Sequence, residues 1–255
     1  MCLIFVAYRQ RADYPFLVAA NRDEYYRRAS AAAHFWADAP QVLAGRDLEA
    51  FGTWLGVTRK GRFAAVTNFR DPDRNRVGAL SRGQLVRDYL CGEVSPRAYC
   101  QAISARATLY NGFNLLVGDR HELWYYASEG VGARRLRPGL YGLSNHLLDT
   151  PWPKVVRGKA EFRRILANGS LSDRDLLRLL ADRTRPPDDQ LPDTGVGVVW
   201  ERLLSPIFIG TDTYGTRSST AILVTAQDRV QFTELSFARA TDERSIQRLE
   251  FSLSR

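Results

Sequence analysis

Cys2 is the residue of this 255-residue chain whose type and place could do chemistry most directly. Cysteine at position two is small enough for methionine aminopeptidase to remove Met1. The mature chain would then open on a thiol and a free α-amine carried by one residue. An α-amine with a pKa near ~8 beside a thiol near ~8.5 is a nucleophile with its own general base. The run Asn21-Arg22-Asp23-Glu24 supplies polar groups that could orient it. Taken alone, Cys2 reads first as a small apolar filler of the buried strand Cys-Leu-Ile-Phe-Val-Ala-Tyr, and only the rest of the constellation can shift that reading.

The elements that must position these groups begin with a hairpin. Leu3 to Tyr8 is an apolar strand, residues 9–14 make a polar turn, and residues 16–20 return as the second arm. An antiparallel hairpin sets its outer ends side by side, which brings Asn21–Glu24 toward Cys2. Residues 25–38 carry no clear period and read as a long loop. Its Tyr25-Tyr26 and Phe35-Trp36 pairs either line a ligand cleft or pack over a sheet edge. Short strands follow at 54–58 and 63–68, joined by the Arg59-Lys60-Gly61-Arg62 turn.

Helices come next. Ser81-Arg-Gly-Gln84 fits a capping box, and Ser95-Pro96 marks a second helix start. Strands resume at 113–117, 123–127 and 140–143. Residues 154–167 and 172–182 read as a helix pair with Leu176, Leu177, Leu179 and Leu180 inward. Residues 185–189 form a loop, and 220–224 with 230–235 form a final hairpin. Strands, helices, then strands and helices again predict an α+β fold, taken as one domain over 1–255.

Four polar sites fall at strand ends or in turns: Asn21–Glu24; Asn68, closing Phe63–Thr67; Asn145, after Tyr141-Gly-Leu-Ser144; and Arg217, before the strand 221–224. Singly, each is an ordinary turn residue or a solvated arginine. The net charge is +8 and the pI about 9.7, yet only three of the 36 basic residues are lysines (Lys60, Lys154, Lys159). The arginines are interleaved with acids instead of forming one stripe, which argues against specific nucleic-acid binding and leaves weak attraction to anionic ligands or membrane surfaces. No apolar run approaches the ~18 residues of a membrane span, and the first one stops at Arg9 without a basic leader before it. Three cysteines without a C-x-x-C fit a reducing compartment and offer no metal site. The expectation is a soluble, cytoplasmic protein.

Jointly the sites form a pattern. Met-Cys-Leu-Ile, Asn-Arg-Asp-Glu, Gly52-Thr-Trp-Leu-Gly56, Thr67-Asn-Phe-Arg-Asp71 and Tyr214-Gly-Thr-Arg-Ser-Ser-Thr220 resemble the NRDE proteins, the transport and Golgi organisation protein 2 family, over residues 1 to about 235. The order of the motifs, with Ser-Asn before Pro151-Trp-Pro153, resembles more loosely the cysteine N-terminal nucleophile hydrolases of the choloylglycine hydrolase and penicillin V acylase group.

That resemblance implies a four-layer αββα sandwich, two antiparallel sheets flanked by helices. It implies that Cys2 is the nucleophile, that Asp23 orients its amine, and that Asn68 and Asn145 donate to the oxyanion. Arg22 and Arg217 would lower the thiol pKa. The hydrolases separate their active-site Arg and Asp by two residues, whereas Arg22 and Asp23 are adjacent, so which of them faces Cys2 stays open. The implied activity is hydrolysis or acyl transfer on a non-peptide linear amide, with no cofactor required. The NRDE resemblance also implies an alternative, a non-enzymatic carrier of haem, lipid or acyl-coenzyme A. Cys2, His34, His121 or His146 would then be candidate haem ligands, and arginines would meet the propionates. An inert scaffold is the third reading.

Overall fold

The computed structural model describes residues 2–130, 132–239 and 244–254. Six strands open the chain: β1 (Cys2–Tyr8), β2 (Phe16–Tyr25), β3 (Ser30–Phe35), β4 (Val42–Asp47), β5 (Leu55–Thr58) and β6 (Phe63–Asn68). Helices α1 (Gly83–Cys91) and α2 (Pro96–Ser104) follow. Next come β7 (Phe113–Gly118), β8 (Leu123–Ala127), β9 (Gly132–Arg135) and β10 (Gly139–Leu143). Helices α3 (Pro153–Ala167), α4 (Asp173–Leu180) and α5 (Val198–Leu204) precede β11 (Tyr214–Val224), β12 (Arg229–Phe237) and β13 (Arg244–Ser252). The fold class is α+β, as expected.

The chain forms two compact units: Met1–Arg27, Pro138–Ser144 and Leu148–Phe251; and Arg28–Arg137, Asn145–Leu147 and Ser252–Arg255. The first holds a six-stranded sheet in the order β10-β1-β2-β11-β12-β13. Side chains alternate along its strands, so Leu3, Phe5, Ala7, Leu17, Ala19, Ala221 and Leu223 leave by one face. There they bury against Val155, Phe162 and Ile165 of α3 and Leu176, Leu179 and Leu180 of α4. Gly158 lets α3 approach: a Cβ there would stand 2.0 Å from Phe5 Cζ. Ser172 and Asp175 close a reciprocal capping box at the start of α4.

The second unit is a seven-stranded antiparallel meander, β3 through β9 in sequence order. Its core gathers Ala64, Val66, Leu115 and Val117 against Leu85, Val86, Tyr89 and Leu90 of α1 and Tyr99, Cys100 and Ile103 of α2. Ser95 caps α2 as expected, accepting from Ala98 N at 3.2 Å. The capping box expected at Ser81–Gln84 does not form. Helix α1 begins at Gly83 without a side-chain cap, where the backbones of Gly52 and Gly83 cross so closely that a Cβ on Gly52 would lie 2.5 Å from the Gly83 carbonyl carbon.

Several boundaries differ from expectation. The supposed loop 25–38 contains β3, an alanine-rich edge strand interrupted by a bulge between Ala31 and His34, features that hide its period. Edge strands β9 and β13 and the short α5 carry no strong pattern and were not foreseen. The last hairpin is therefore not final. Strands β2 and β11 also run farther than expected, so Asn21–Glu24 and Arg217 lie within strands instead of beyond them.

Candidate functional site

Cys2 opens β1 directly opposite Arg22 of β2, and Arg22 in turn stands opposite Ser218 of β11, which faces Ser236 of β12. Opposed residues of an antiparallel ladder share a face, so these four side chains form one polar row across the sheet. It lies on the face turned away from α3 and α4. One row deeper on that face, buried Glu234 accepts the Thr220 hydroxyl at 3.3 Å. The row after it is Val6, Val18, Ile222 and Phe232, all buried.

Cys2 as a residue is 8% exposed. Burial pushes its thiol up to about 11; the terminal amine's charge opposes this most, the Asp23 carboxylate adds to it, and the Arg22 charge and the Asp23 backbone N–H oppose it less. Met1 lies outside the described residues. The sequence left open which of Arg22 and Asp23 faces the thiol. Alternation along β2 sends Arg22 to the thiol's face and Asp23 to the helix face.

On the helix face Asp23 Oδ1 accepts the Thr216 hydroxyl at 2.8 Å, and that hydroxyl accepts from Ile209 N at 3.0 Å. Asn21, on the same face, donates to the carbonyls of Leu180 and Ile207 at 2.9 Å each and accepts the Ser219 hydroxyl at 2.6 Å. Alternate residues of the Asn-Arg-Asp-Glu run thus do different work. Asn21 and Asp23 tie β2 to β11, the end of α4 and the segment after α5, while Arg22 faces the thiol.

Arg217 is the extra residue of a bulge, since Thr216 pairs with Asp23 and Ser218 with Arg22. Its guanidinium donates to the carbonyls of Tyr25 at 2.9 Å, Tyr26 at 3.0 Å and Phe237 at 3.3 Å. Burial lowers its pKa, assisted by repulsion from Arg22. Here it fastens the end of β2 to the bulged strand.

Asn68 and Asn145 meet in the second unit. Asn145 Nδ2 donates to the Asn68 carbonyl at 3.1 Å, and its own carbonyl accepts from Arg70 N at 2.7 Å. Buried Asn114 supports this corner, donating to the His146 carbonyl at 3.0 Å and accepting the Tyr125 hydroxyl at 2.6 Å. Sequence reasoning missed Asn114, Thr216, Ser218 and Ser219. Their signal was polar residues inside otherwise apolar strands, which alternation sorts by face only once register is known.

Of the histidines, His34 and His121 are exposed, while His146 packs on Phe69 with ring centroids 4.9 Å apart and its pKa is lowered by burial. Among the described residues no three His, Cys, Asp or Glu side chains gather into a metal-binding group. Trp36 is a core residue donating to the Ala44 carbonyl at 3.1 Å, and Arg59 stacks on Phe35 at 3.8 Å. That aromatic pair packs within its sheet; Tyr25 remains exposed against Tyr214. No helix among the described residues is long and apolar enough to cross a membrane.

The family model described as Transport and Golgi organisation 2 matches residues 1–239. The chain belongs to that family. It is 39% identical over 258 residues to the Transport and Golgi organization protein 2 homolog of Bos taurus, covering 92% of this chain and 93% of the relative. It is 31% identical over 268 residues to Transport and Golgi organization protein 2 of Drosophila melanogaster, covering 92% and 91%. Among solved structures, this member of the Transport and Golgi organisation 2 family is similar to the C2A mutant of conjugated bile acid hydrolase from Clostridium perfringens. That likeness has a TM-score of 0.55 at 8% identity, over 100% of this chain and 97% of the other. The N-acylethanolamine-hydrolyzing acid amidase ortholog of Caenorhabditis elegans matches with a TM-score of 0.50 at 11% identity, over 87% and 92%. These likenesses show the fold, an α+β fold with two antiparallel sheets.

Proposed function

We propose that this protein, once Met1 is removed, is a cysteine hydrolase or acyltransferase of the N-terminal nucleophile type acting on a non-peptide linear amide. The observation that carries the reading is the Cys2–Arg22 opposition at the start of β1, which sets a cation across the ladder from the thiol. The fold likeness supports it, as does the name of the bile acid hydrolase variant, which records a substitution at a cysteine in position two of that protein.

The chemistry follows from a terminal Cys2. Its α-amine takes the thiol proton, and sulfur bonds to the amide carbon while the carbonyl electrons move to oxygen. Collapse breaks the carbon–nitrogen bond, and the ammonium returns its proton to the departing amine. Water, deprotonated by the same amine, attacks the thioester; the carbon–sulfur bond breaks and a carboxylic acid leaves. An amine or alcohol in place of water makes the reaction a transfer. Arg22 stabilises the thiolate between these steps. The oxyanion roles of Asn68 and Asn145 are proposed on the family resemblance alone.

The deciding experiment is intact mass spectrometry of the purified protein with an N-acyl amine substrate. Loss of Met1 and a transient acyl adduct on Cys2, both absent in Cys2→Ala, are the expected results. Retained Met1, or equal turnover by Cys2→Ala, would overturn the reading.

A further inference from the structure

The chain contains two Asn-Gly steps, Asn111-Gly112 and Asn168-Gly169. Asparagine is thermolabile, because the backbone nitrogen that follows it can attack its side-chain amide carbon. Glycine exposes that nitrogen most, having no Cβ to shield it. Attack within one chain is fast where the two atoms can turn toward each other. At Asn111 both reactants are held. Its Oδ1 accepts from Arg76 N at 2.8 Å, and its Nδ2 donates to the Arg76 carbonyl at 3.0 Å. The Gly112 carbonyl accepts from Phe69 N at 2.9 Å and from Arg82 Nη1 at 3.0 Å. A Cβ on Gly112 would stand 3.1 Å from the Phe69 Cβ. Turning the amide toward Gly112 N would break both bonds to Arg76.

Asn168 is in the opposite state. It ends α3, and its N–H donates to the Ile165 carbonyl at 3.2 Å. Residues 167–170 are exposed, and nothing lies within 4 Å of the place a Gly169 Cβ would take. The Asn168 side-chain amide makes no hydrogen bond among the described residues. Its backbone is tied by Arg11, whose Nη1 donates to the Asn168 carbonyl at 2.6 Å and the Leu166 carbonyl at 3.2 Å. Asn168 stands at ψ 143°, and rotation about ψ brings Gly169 N toward Cγ. That rotation exchanges the exposed Arg11 bond for one to water, a small cost.

We propose that Asn168 is a site of spontaneous deamidation in the folded protein, and that the fold protects Asn111 from the same reaction. Gly169 N gives its proton to hydroxide and bonds to Asn168 Cγ; the side-chain carbon–nitrogen bond breaks, and ammonia leaves with a proton from water. Water then opens the cyclic imide. Addition at Cγ gives aspartate, and addition at the main-chain carbonyl gives isoaspartate, which routes the backbone through the side chain. Either product sets a carboxylate at the C-terminus of α3, where the helix dipole opposes it. Isoaspartate also lengthens the backbone by one carbon where Arg11, in the β1–β2 turn, fastens the end of α3.

The test is peptide mass spectrometry of the full chain after storage in warm, mildly alkaline buffer. Conversion of Asn168 to aspartate and isoaspartate, faster as pH rises, is expected, with Asn111 unchanged. In guanidinium chloride Asn111 should convert as readily as Asn168. Gly169→Ala should slow the reaction at Asn168 about tenfold with an unchanged melting curve, since its Cβ meets open space in the fold and hinders the attack. Where Gly169→Ala melts lower, Gly169→Ser carries the same comparison. An intact Asn168, equal conversion of Asn111 in the folded chain, or an unchanged rate in the folded Gly169 variant would each overturn the proposal.

Discussion

Arg22 stands across the β1–β2 ladder from Cys2, and its side chain leaves the sheet on the thiol's face. The neighbouring Asp23 departs on the other face, where it holds Thr216. Arg22 and Asp23 therefore act on Cys2 in unlike ways, one by a side-chain charge and the other by its backbone N–H and a more remote carboxylate.

Arg22→Met removes the cation and keeps the bulk. Alkylation of Cys2 by iodoacetamide should slow about three- to tenfold at fixed pH, as the thiolate fraction falls. Peptide mass spectrometry in a Cys91→Ser background reads this cleanly, because Cys91 is the exposed thiol and Cys100 is buried.

The raised thiol also couples folding to pH. The unfolded chain releases the Cys2 proton near the ordinary value of 9.0, and the folded chain holds it to about 11. Above the first value the unfolded state binds fewer protons, so stability present below it is lost as pH rises toward the second. Between those limits denaturant titration of the Met1-bearing chain should lose about 2–3 kcal/mol more for wild type than for Cys2→Ala. Equal slopes would remove the burial argument.

Asn21→Ala withdraws a donor from the Leu180 and Ile207 carbonyls and an acceptor from the Ser219 hydroxyl. Buried polar groups left unmatched should cost about 2–4 kcal/mol, read as a lower urea midpoint at unchanged slope. A loss within experimental scatter would mean that Asn21 is not the tie between β2, α4 and the segment after α5.

Arg217→Met should act on stability before reactivity. It forfeits the bonds to Tyr25, Tyr26 and Phe237, a loss of about 1–3 kcal/mol. Its effect on Cys2 alkylation should be smaller than that of Arg22→Met. The reverse order would make Arg217 the principal cation acting on the thiol.

Some of this was legible in the chain. The hairpin pairing Cys2 with the Asn-Arg-Asp-Glu run follows from two apolar arms and a polar turn, because strand pairing between near neighbours is local. Helices α2 and α4 announced themselves through Ser95-Pro96 and the leucines of α4, and α3 was expected over 154–167, one residue short of its start. The Ser81 box misled, because a contact between Gly52 and Gly83, distant in sequence, sets where α1 begins. Arg217 looked like a charge near the site, and only the bulge between Thr216 and Ser218 revealed which carbonyls it reaches.

What the amino-acid order determined by itself was residue type and local period: a thiol at position two, a strand behind it, polar groups at recurring strand ends. Tertiary structure decided which face each group occupies. A one-residue change of register exchanges the faces of a strand, so the division of labour between Arg22 and Asp23 depends on how β2 lies between β1 and β11. The same applies to Asn145, whose amide meets Asn68 only because residues 77 positions apart are brought to one corner of the second unit.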